Sequence, residues 1–571
     1  PGSYMIRDFA RNITSIEAFD DNGAMPLVKR DKQTWCGETP KGGLRVVYRV
    51  YAYDLSVRSA YLDTFRAFFN GTSLFFRISG LEEAPWQLVI SRPQFVDAAR
   101  WQLATSMPQL DVDAEGFGVY AGVGYDALTD FPVEISAFEE FTFDVRGIDH
   151  RFVLSEAGPV DMGRLSRDLA PICREHASLF GDLPVDRYVF LTLATADGYG
   201  GLEHRDSTSL ICQREDLPRP GLGRPDKGYR RFLGLCSHEY FHLWNVKRIR
   251  PERLAGAQLD VEVHTELLWA FEGITSYYDE LALSRCGILR PEEYLGMLAE
   301  SVTRVLRSPG RGRQSIAESS FDAWTRFYKQ DENAPNAIVS YYTKGACVAL
   351  GLDVTMRQRT RDTLCLDDLM RHLWQRFGSV DVGVRERGIE HELSELTGTV
   401  FDDFFASYVY GVEELPFGDW FAAMGIGFRL RAARDSDDLG GYEEQPTSNG
   451  PMPSLGANHV GEDGGLRLTQ VITGGAAQAA GLSPGDVLVA IESERVNSAN
   501  LKRLLLRASD EVEVHYFRRG RLYATTVQIV DAPQDTCELW LLPDDTLAAP
   551  LLARRRAWLA SSQRIESGYS A

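Results

Sequence analysis

The spacing of apolar side chains changes character several times along the chain, and the changes divide it. Up to about residue 155 the pattern is that of strands. Leu44-Arg45-Val46-Val47-Tyr48-Arg49-Val50-Tyr51-Ala52-Tyr53 is rich in β-branched and aromatic residues with partial alternation. Phe141-Thr142-Phe143-Asp144-Val145 reads the same way, and Arg151-Phe152-Val153-Leu154 follows a Gly-containing turn. This predicts a β domain, either a sandwich or one large twisted sheet. Near Val160 the period becomes helical. Met162, Leu165, Leu169, Ile172 and Cys173 fall on one face, Gly181 stops the helix and Pro184 lies beyond it. A strand at 188–194 leads into a Gly-rich run from Asp197 to His204, and helical patterns then dominate from about 228 to 424. Residues 433–465 read as loop. Alternating strands return at 466–471, 486–492, 511–517 and 522–530, with one helix at 498–507 between them, and 551–559 reads as a short amphipathic helix.

The chain has 571 residues, which at roughly 150 per domain suggests three or four domains. With 44% hydrophobic and 25% charged residues it is globular, so a disordered or fibrous protein is excluded. The expected layout is multidomain α+β: a β domain over 1–155, a domain with a helical lobe over 156–424, a third domain over 425–532, and a tail over 533–571. The net charge of −20 argues against nucleic acid as a partner, since phosphate binding needs a basic face. The longest apolar run, 188–196, is too short for a membrane span of about 20 residues. The eight cysteines are scattered without a C-x-x-C pair and read as reduced thiols. That favours the cytoplasm over the periplasm, although an upstream signal peptide would not be visible in a chain that starts at Pro1.

The sharpest chemical signal is His238-Glu239-Tyr240-Phe241-His242. On a helix, positions i and i+4 share a face, so both imidazoles can meet one ion, and Glu239 sits beside that ion as a proton acceptor. The segment from Arg230 to Val246 has no Pro and is strongly apolar, as such a helix requires. No other pair among the ten histidines has this spacing. Zinc needs a third protein ligand and an open fourth position. Candidates are Glu262, His264, Glu266 and Glu272. Glu272 is favoured because a carboxylate set among Trp269 and Phe271 is costly unless it is paired or bound to metal.

HExxH followed by Trp269-x-x-Glu272-Gly273-x-x-Ser276-Tyr277 resembles the gluzincin metallopeptidases, and that resemblance implies Glu272 as the third ligand. Ser340-Tyr341-Tyr342-Thr343-Lys344-Gly345-Ala346 resembles the Y-x-K-G segment of zinc aminopeptidases, which implies that Tyr342 donates to the oxyanion. Tyr341 is its neighbour and rival, and Lys344 is read as a structural charge partner. Gly201-Leu202-Glu203-His204 resembles their G-x-M-E-N segment, which implies that Glu203 and Gly201 meet the substrate's free amine end. His204 stands there in place of Asn. The longer string from His238 through Trp244, Asn245 and Arg248 to Pro251 is similar to the glycyl aminopeptidase family. That family joins a β domain, a thermolysin-like catalytic domain and a C-terminal PDZ domain. The opening Pro1-Gly2-Ser3-Tyr4 fits the family's W-x-P-G-S-Y segment and implies further strands upstream.

Gly474-Gly475-Ala476 through Gly481-Leu482-Ser483-Pro484-Gly485-Asp486 resembles the G-x-A-x-x-A-G-L-x-x-G-D segment of PDZ domains. This implies a groove for the C-terminal peptide of a ligand. Ser454-Leu455-Gly456-Ala457 is the candidate carboxylate loop, with Gly425-Ile426-Gly427-Phe428 as the rival. The expected function is therefore a zinc aminopeptidase acting on peptides, with Gly or Ala preferred by family implication. The alternatives are an endopeptidase of the same chemistry, or a PDZ-centred scaffold with an inert peptidase domain.

Overall fold

In the computed structural model, which describes residues 4–94, 100–221, 223–442, 453–507 and 510–562, the N-terminal β pattern resolves into several small sheets rather than one. Gly23–Met25, Ile13–Asp20 and Arg45–Val50 form one; Gln109–Val112, Gly118–Val123 and Pro85–Ile90 a second. Ala60–Leu62, Arg66–Phe69, Val133–Ser136 and Gln102–Ala104 form a third. Arg45–Val50 alternates exposed and half-buried positions, as a strand with one wet face must. The core here is small, centred on Trp101, Leu103, Tyr120 and Val133. Arg66 and Glu134 form a buried ion pair beside it, with Ser136 and Ser155 donating to the same carboxylate. The first three residues of the opening motif lie outside the described residues.

A boundary at 155 would cut a sheet in two. Glu139–Val145 and Ile148–Ser155 are the first two strands of a five-stranded sheet that continues through Arg187–Thr195 and Ser207–Gln213 to the edge strand Gly200–Glu203. A strand's period is the same whichever sheet it joins, so periodicity alone could not assign these two. The centre of the sheet is parallel, and the Met162–Phe180 helix makes the crossover. That helix starts on Asp161, which accepts from the Arg164 amide, and ends on Gly181 at φ 74°, a left-handed position that suits glycine. Behind the sheet, the helices Lys227–Phe241, Ile274–Arg285, Pro291–Leu306 and Thr343–Arg359 share one continuous core with it.

The C-terminal third also departs from the expected boundaries. Ile426–Arg431 pairs with Thr536–Leu541, and Ile426, Cys537, Leu539 and Trp558 belong to the core of the helical region. The expected tail is therefore docked: Trp558 donates its indole N–H to Tyr277 and its carbonyl accepts from Arg285. Between these strands lies a unit with its own core of Leu466, Leu468, Leu488, Ile491, Leu504 and Val514. Its sheet runs Ala457–Glu462, Gly465–Val471, Val487–Ile491, Glu511–Arg518 and Arg521–Gln528, and Ala457–Glu462 is an edge. Residues 457–462 form a strand where the sequence pattern predicts loop, because glycines at 456, 461, 464 and 465 mask it; 443–452 lie outside the described residues. Asn336 ties this unit to the helical region: its amide nitrogen donates to the Val471 carbonyl at 2.8 Å, and its amide oxygen accepts from the Thr473 N–H at 2.8 Å. Among the described residues no helix is long and apolar enough to cross a membrane, and all eight cysteines are free.

Candidate metal centre and active site

The Lys227–Phe241 helix is capped by Asp226 and carries His238 and Glu239 in its last turn, with His242 following as its C-cap. One helical turn brings His238 Nε2 and His242 Nε2 to 3.1 Å. Their other nitrogens fix the tautomers. His242 Nδ1 lies 2.9 Å from the Asn245 carbonyl, which can only accept, and His238 Nδ1 lies 3.0 Å from an Asp279 carboxylate oxygen. Both Nδ1 atoms therefore carry hydrogen, and in the neutral rings both Nε2 atoms present lone pairs. Glu272 Oε2 closes the group at 3.2 Å from His242 Nε2 and 3.6 Å from His238 Nε2. Three atoms able to ligate a metal thus face one another across one small space. With both rings neutral the arrangement is repulsive until a proton or a metal cation enters it, and two imidazoles with one carboxylate are the donor set zinc takes.

Glu272 lies in a π-helical turn, Trp269–Gly273, that runs directly into Ile274–Arg285. Such turns recur at functional sites because they redirect a side chain and free backbone carbonyls. Here Asn245 Nδ2 donates to the Ala270 and Phe271 carbonyls at 3.1 and 3.2 Å, so the residue that orients His242 also braces the turn holding Glu272. Burial opposes ionisation of Glu272, but His242 and His238 outweigh it and hold the carboxyl at about 2. Burial pushes Glu239 the other way, up to about 7, against the pull of the two histidines. Its Oε2 is buried without a hydrogen-bond partner among the described residues, as expected of a group that waits for a proton donor.

The edge strand Gly200–Glu203 passes directly over Glu239. A Cβ on Gly201 would lie 2.2 Å from Glu239 Oε1, so only glycine lets strand and carboxylate meet. Glu203 comes within 4.8 Å, donor atom to donor atom, of Glu239 and His242. Arg58, from the N-terminal region, donates to the Gly201 carbonyl at 3.1 Å. His204 faces away from this group: its Nε2 meets the Asn70 amide at 3.0 Å and its Nδ1 the Leu202 carbonyl at 3.1 Å.

The two adjacent tyrosines separate. Tyr341 is fully buried against Phe327, whereas Tyr342 is partly open, with its ring 6.3 Å from His238 and its hydroxyl 2.8 Å from that of Tyr328. Burial and then Glu272 push the Tyr342 phenol well above its usual range, so it remains a donor. The glycines of the two motifs meet back to back. A Cβ on Gly273 would lie 2.6 Å from Gly345 Cα, and one on Gly345 would lie 2.9 Å from Gly273 Cα. Lys344 points elsewhere and donates to the Arg311 carbonyl. Of the rival third ligands, His264 bonds the Phe321 carbonyl and pairs with Glu262, while the Glu266 amide donates to Glu386. Among the described residues, the cluster containing both His238 and His242 is completed by Glu272.

Sequence reasoning left four contributors without a role: Tyr4, Asn245, Asp279 and Tyr328. Asp279 was legible, since it stands two turns after Glu272 on the same helix face. Tyr4 was not, because its hydroxyl reaches Glu272 Oε1 at 2.8 Å across 268 positions of chain.

A family model of M61 glycyl aminopeptidase matches residues 231–348, and one of the Peptidase M61 N-terminal domain matches residues 1–137. The crystal structure of an aminopeptidase N family protein from Idiomarina loihiensis superposes with a TM-score of 0.93 at 36% identity, covering 98% of this chain and 94% of that one. Two structures described as M1 zinc metallopeptidases are more distant. One, a two-domain enzyme bound to L-arginine, has a TM-score of 0.44 at 14% identity over 71% of this chain and 85% of that one. The other, from Deinococcus radiodurans, has a TM-score of 0.43 with the same identity and coverage. No curated protein matches the chain.

Proposed function

The chain belongs to the M61 glycyl aminopeptidase family, and from that premise we propose that it is a zinc-dependent aminopeptidase removing the N-terminal residue, Gly or Ala favoured, from peptides. The observation that carries this reading is the convergence of His238 Nε2, His242 Nε2 and Glu272 Oε2, each within 3.1 to 3.6 Å of the others. These three residues would hold one zinc ion. When bound, zinc polarises the scissile carbonyl and acidifies a water molecule. Glu239 accepts the proton of that water and passes it to the leaving amine. The buried, partnerless Glu239 Oε2 is free for this. Tyr342 donates its phenol hydrogen to the developing oxyanion, and Tyr328 orients it. Glu203 and the backbone at Gly201 receive the free ammonium end, where a carboxylate gains a charge-assisted pair. The catalytic region on this reading is thermolysin-like and of gluzincin type.

The 453–531 unit fits a PDZ domain: Ser454-Leu455-Gly456-Ala457 leads into an edge strand to which an extended C-terminal peptide could add. The rival loop, Gly425 to Phe428, runs into a strand already paired with Thr536–Leu541. The decisive experiment is metal analysis together with chelator-sensitive release from Ala- and Gly-anilides, with N-acetylated peptides as controls. Equal cleavage of blocked and free peptides would replace the aminopeptidase with an endopeptidase. Absence of both zinc and turnover would leave a peptide-binding scaffold.

A further inference from the structure

We propose that Tyr4, supplied by the N-terminal segment, is a positioning residue that holds Glu272 so that the carboxylate turns a single oxygen towards the two histidines. This rests on the metal reading above and goes beyond it by assigning a residue outside the peptidase helices. The two oxygens of Glu272 have divided surroundings. Oε2 faces the imidazoles at 3.2 and 3.6 Å, while Oε1 accepts from the Tyr4 hydroxyl at 2.8 Å. Glu272 is 3% exposed, and among the described residues Tyr4 is the donor recorded to Oε1. Without it, that oxygen loses its partner in a dry site, or swings towards the histidines so that both oxygens face them. A carboxylate presenting both oxygens can occupy a position that a catalytic site must keep open for water or substrate.

Tyr4 is itself held. Its ring packs edge-on against Trp324 at 6.3 Å between centroids and tilted against Tyr328 at 6.1 Å. Tyr328 is also the hydroxyl partner of Tyr342, so one aromatic cluster fixes both the carboxylate and the phenol of the site. The contact lets the N-terminal region complete the metal site. Partners of metal ligands commonly contribute ten- to a hundredfold in affinity or activity.

Tyr4→Phe removes one oxygen and leaves the ring packing intact. Zinc affinity of that variant, read by competition with a chromogenic chelator, should fall by roughly ten- to a hundredfold. The cobalt(II)-substituted variant should show a visible spectrum of altered intensity, reporting a changed coordination number. Wild-type zinc affinity together with a wild-type cobalt spectrum would overturn the role of Tyr4 and leave the metal reading standing. A wild-type protein that binds no zinc would overturn the metal reading itself. Failure of Tyr4→Phe to fold would also count against the proposal, because a positioning contact of one hydroxyl does not carry the fold.

Discussion

The candidate site has two walls of different build. One is helical: His242, Glu239 and Glu272 are 2%, 5% and 3% exposed and sit in the largest core of the molecule. The other is made of an edge strand and the N-terminal region, where Glu203 and Arg58 are only partly buried. The difference separates two tasks. Groups that hold an ion or move a proton gain from a dry, fixed setting, where charge interactions are strong. Groups that meet a substrate need an open edge, and an edge strand provides unpaired backbone for it.

Four measurements test this division, beginning with the largest expected effect. Glu239→Gln on the helical wall should lower kcat by roughly 10²–10⁴ while zinc content stays at the wild-type level, since a general base is lost and no ligand is. Normal turnover in that variant would remove Glu239 from its role. Tyr342→Phe should lower kcat by roughly 10²–10³ with KM little changed, and Tyr341→Phe should be mild; the opposite ranking would reassign the donor. Gly201→Ala joins the walls. Its added methyl would lie 2.2 Å from Glu239 Oε1, and displacing the base by about 1 Å should cost around 10² in kcat although no reacting group is removed. On the strand wall, Glu203→Gln should lower kcat/KM for free-amine substrates by about ten- to a hundredfold, the worth of a hydrogen bond to a charged group, and leave zinc content unaltered.

A further effect concerns stability and touches both walls. His176 braces the Lys227–Phe241 helix through Ser237 at 2.7 Å, His204 ties the edge strand to Asn70, and His150 bonds Tyr240. Burial lowers His176 to about 3 and the other two to about 4. An imidazole in the unfolded chain titrates near 6.5, so below that pH the unfolded state takes up protons that the folded state refuses. Their contribution to stability should therefore fall as pH drops from about 6.5 towards 4, by up to roughly 1.4 kcal/mol per pH unit for each histidine, against the opposite trend of Asp206 and Glu280, which burial raises to about 6 and about 8. A His176→Gln variant whose melting temperature falls with pH as steeply as that of the wild type would contradict the neutral, buried assignment of His176.

The helical wall was largely legible in the sequence because its logic is local. The i, i+4 pair, the carboxylate among aromatics and the Gly181 stop all follow from spacing within one or two elements. The strand wall was legible only through motif resemblance, since nothing in the spacing of Gly201 says that it must clear Glu239. Contacts between distant segments left no trace in the pattern. The Tyr4–Glu272 bond, the Asn336 clasp and the pairing of Ile426–Arg431 with Thr536–Leu541 each join segments whose own periodicity is satisfied without the partner. The last of these explains why a boundary placed at 425 strands the 536–541 segment and the Ala549–Leu559 helix in a supposed tail.

The back-to-back glycines 273 and 345 have a consequence for how this site can vary. Most packed pairs drift by compensation, one side chain growing as its neighbour shrinks, with total volume kept. Here each absent Cβ would strike the other's backbone, and no residue is smaller than glycine, so neither position can yield room to the other. The separation between the Glu272 turn and the Tyr342 helix is thus set by the thickness of two main chains. Paired substitution, the usual route by which cores diverge, is closed at this point, and the spacing of carboxylate and phenol is fixed wherever the two glycines are.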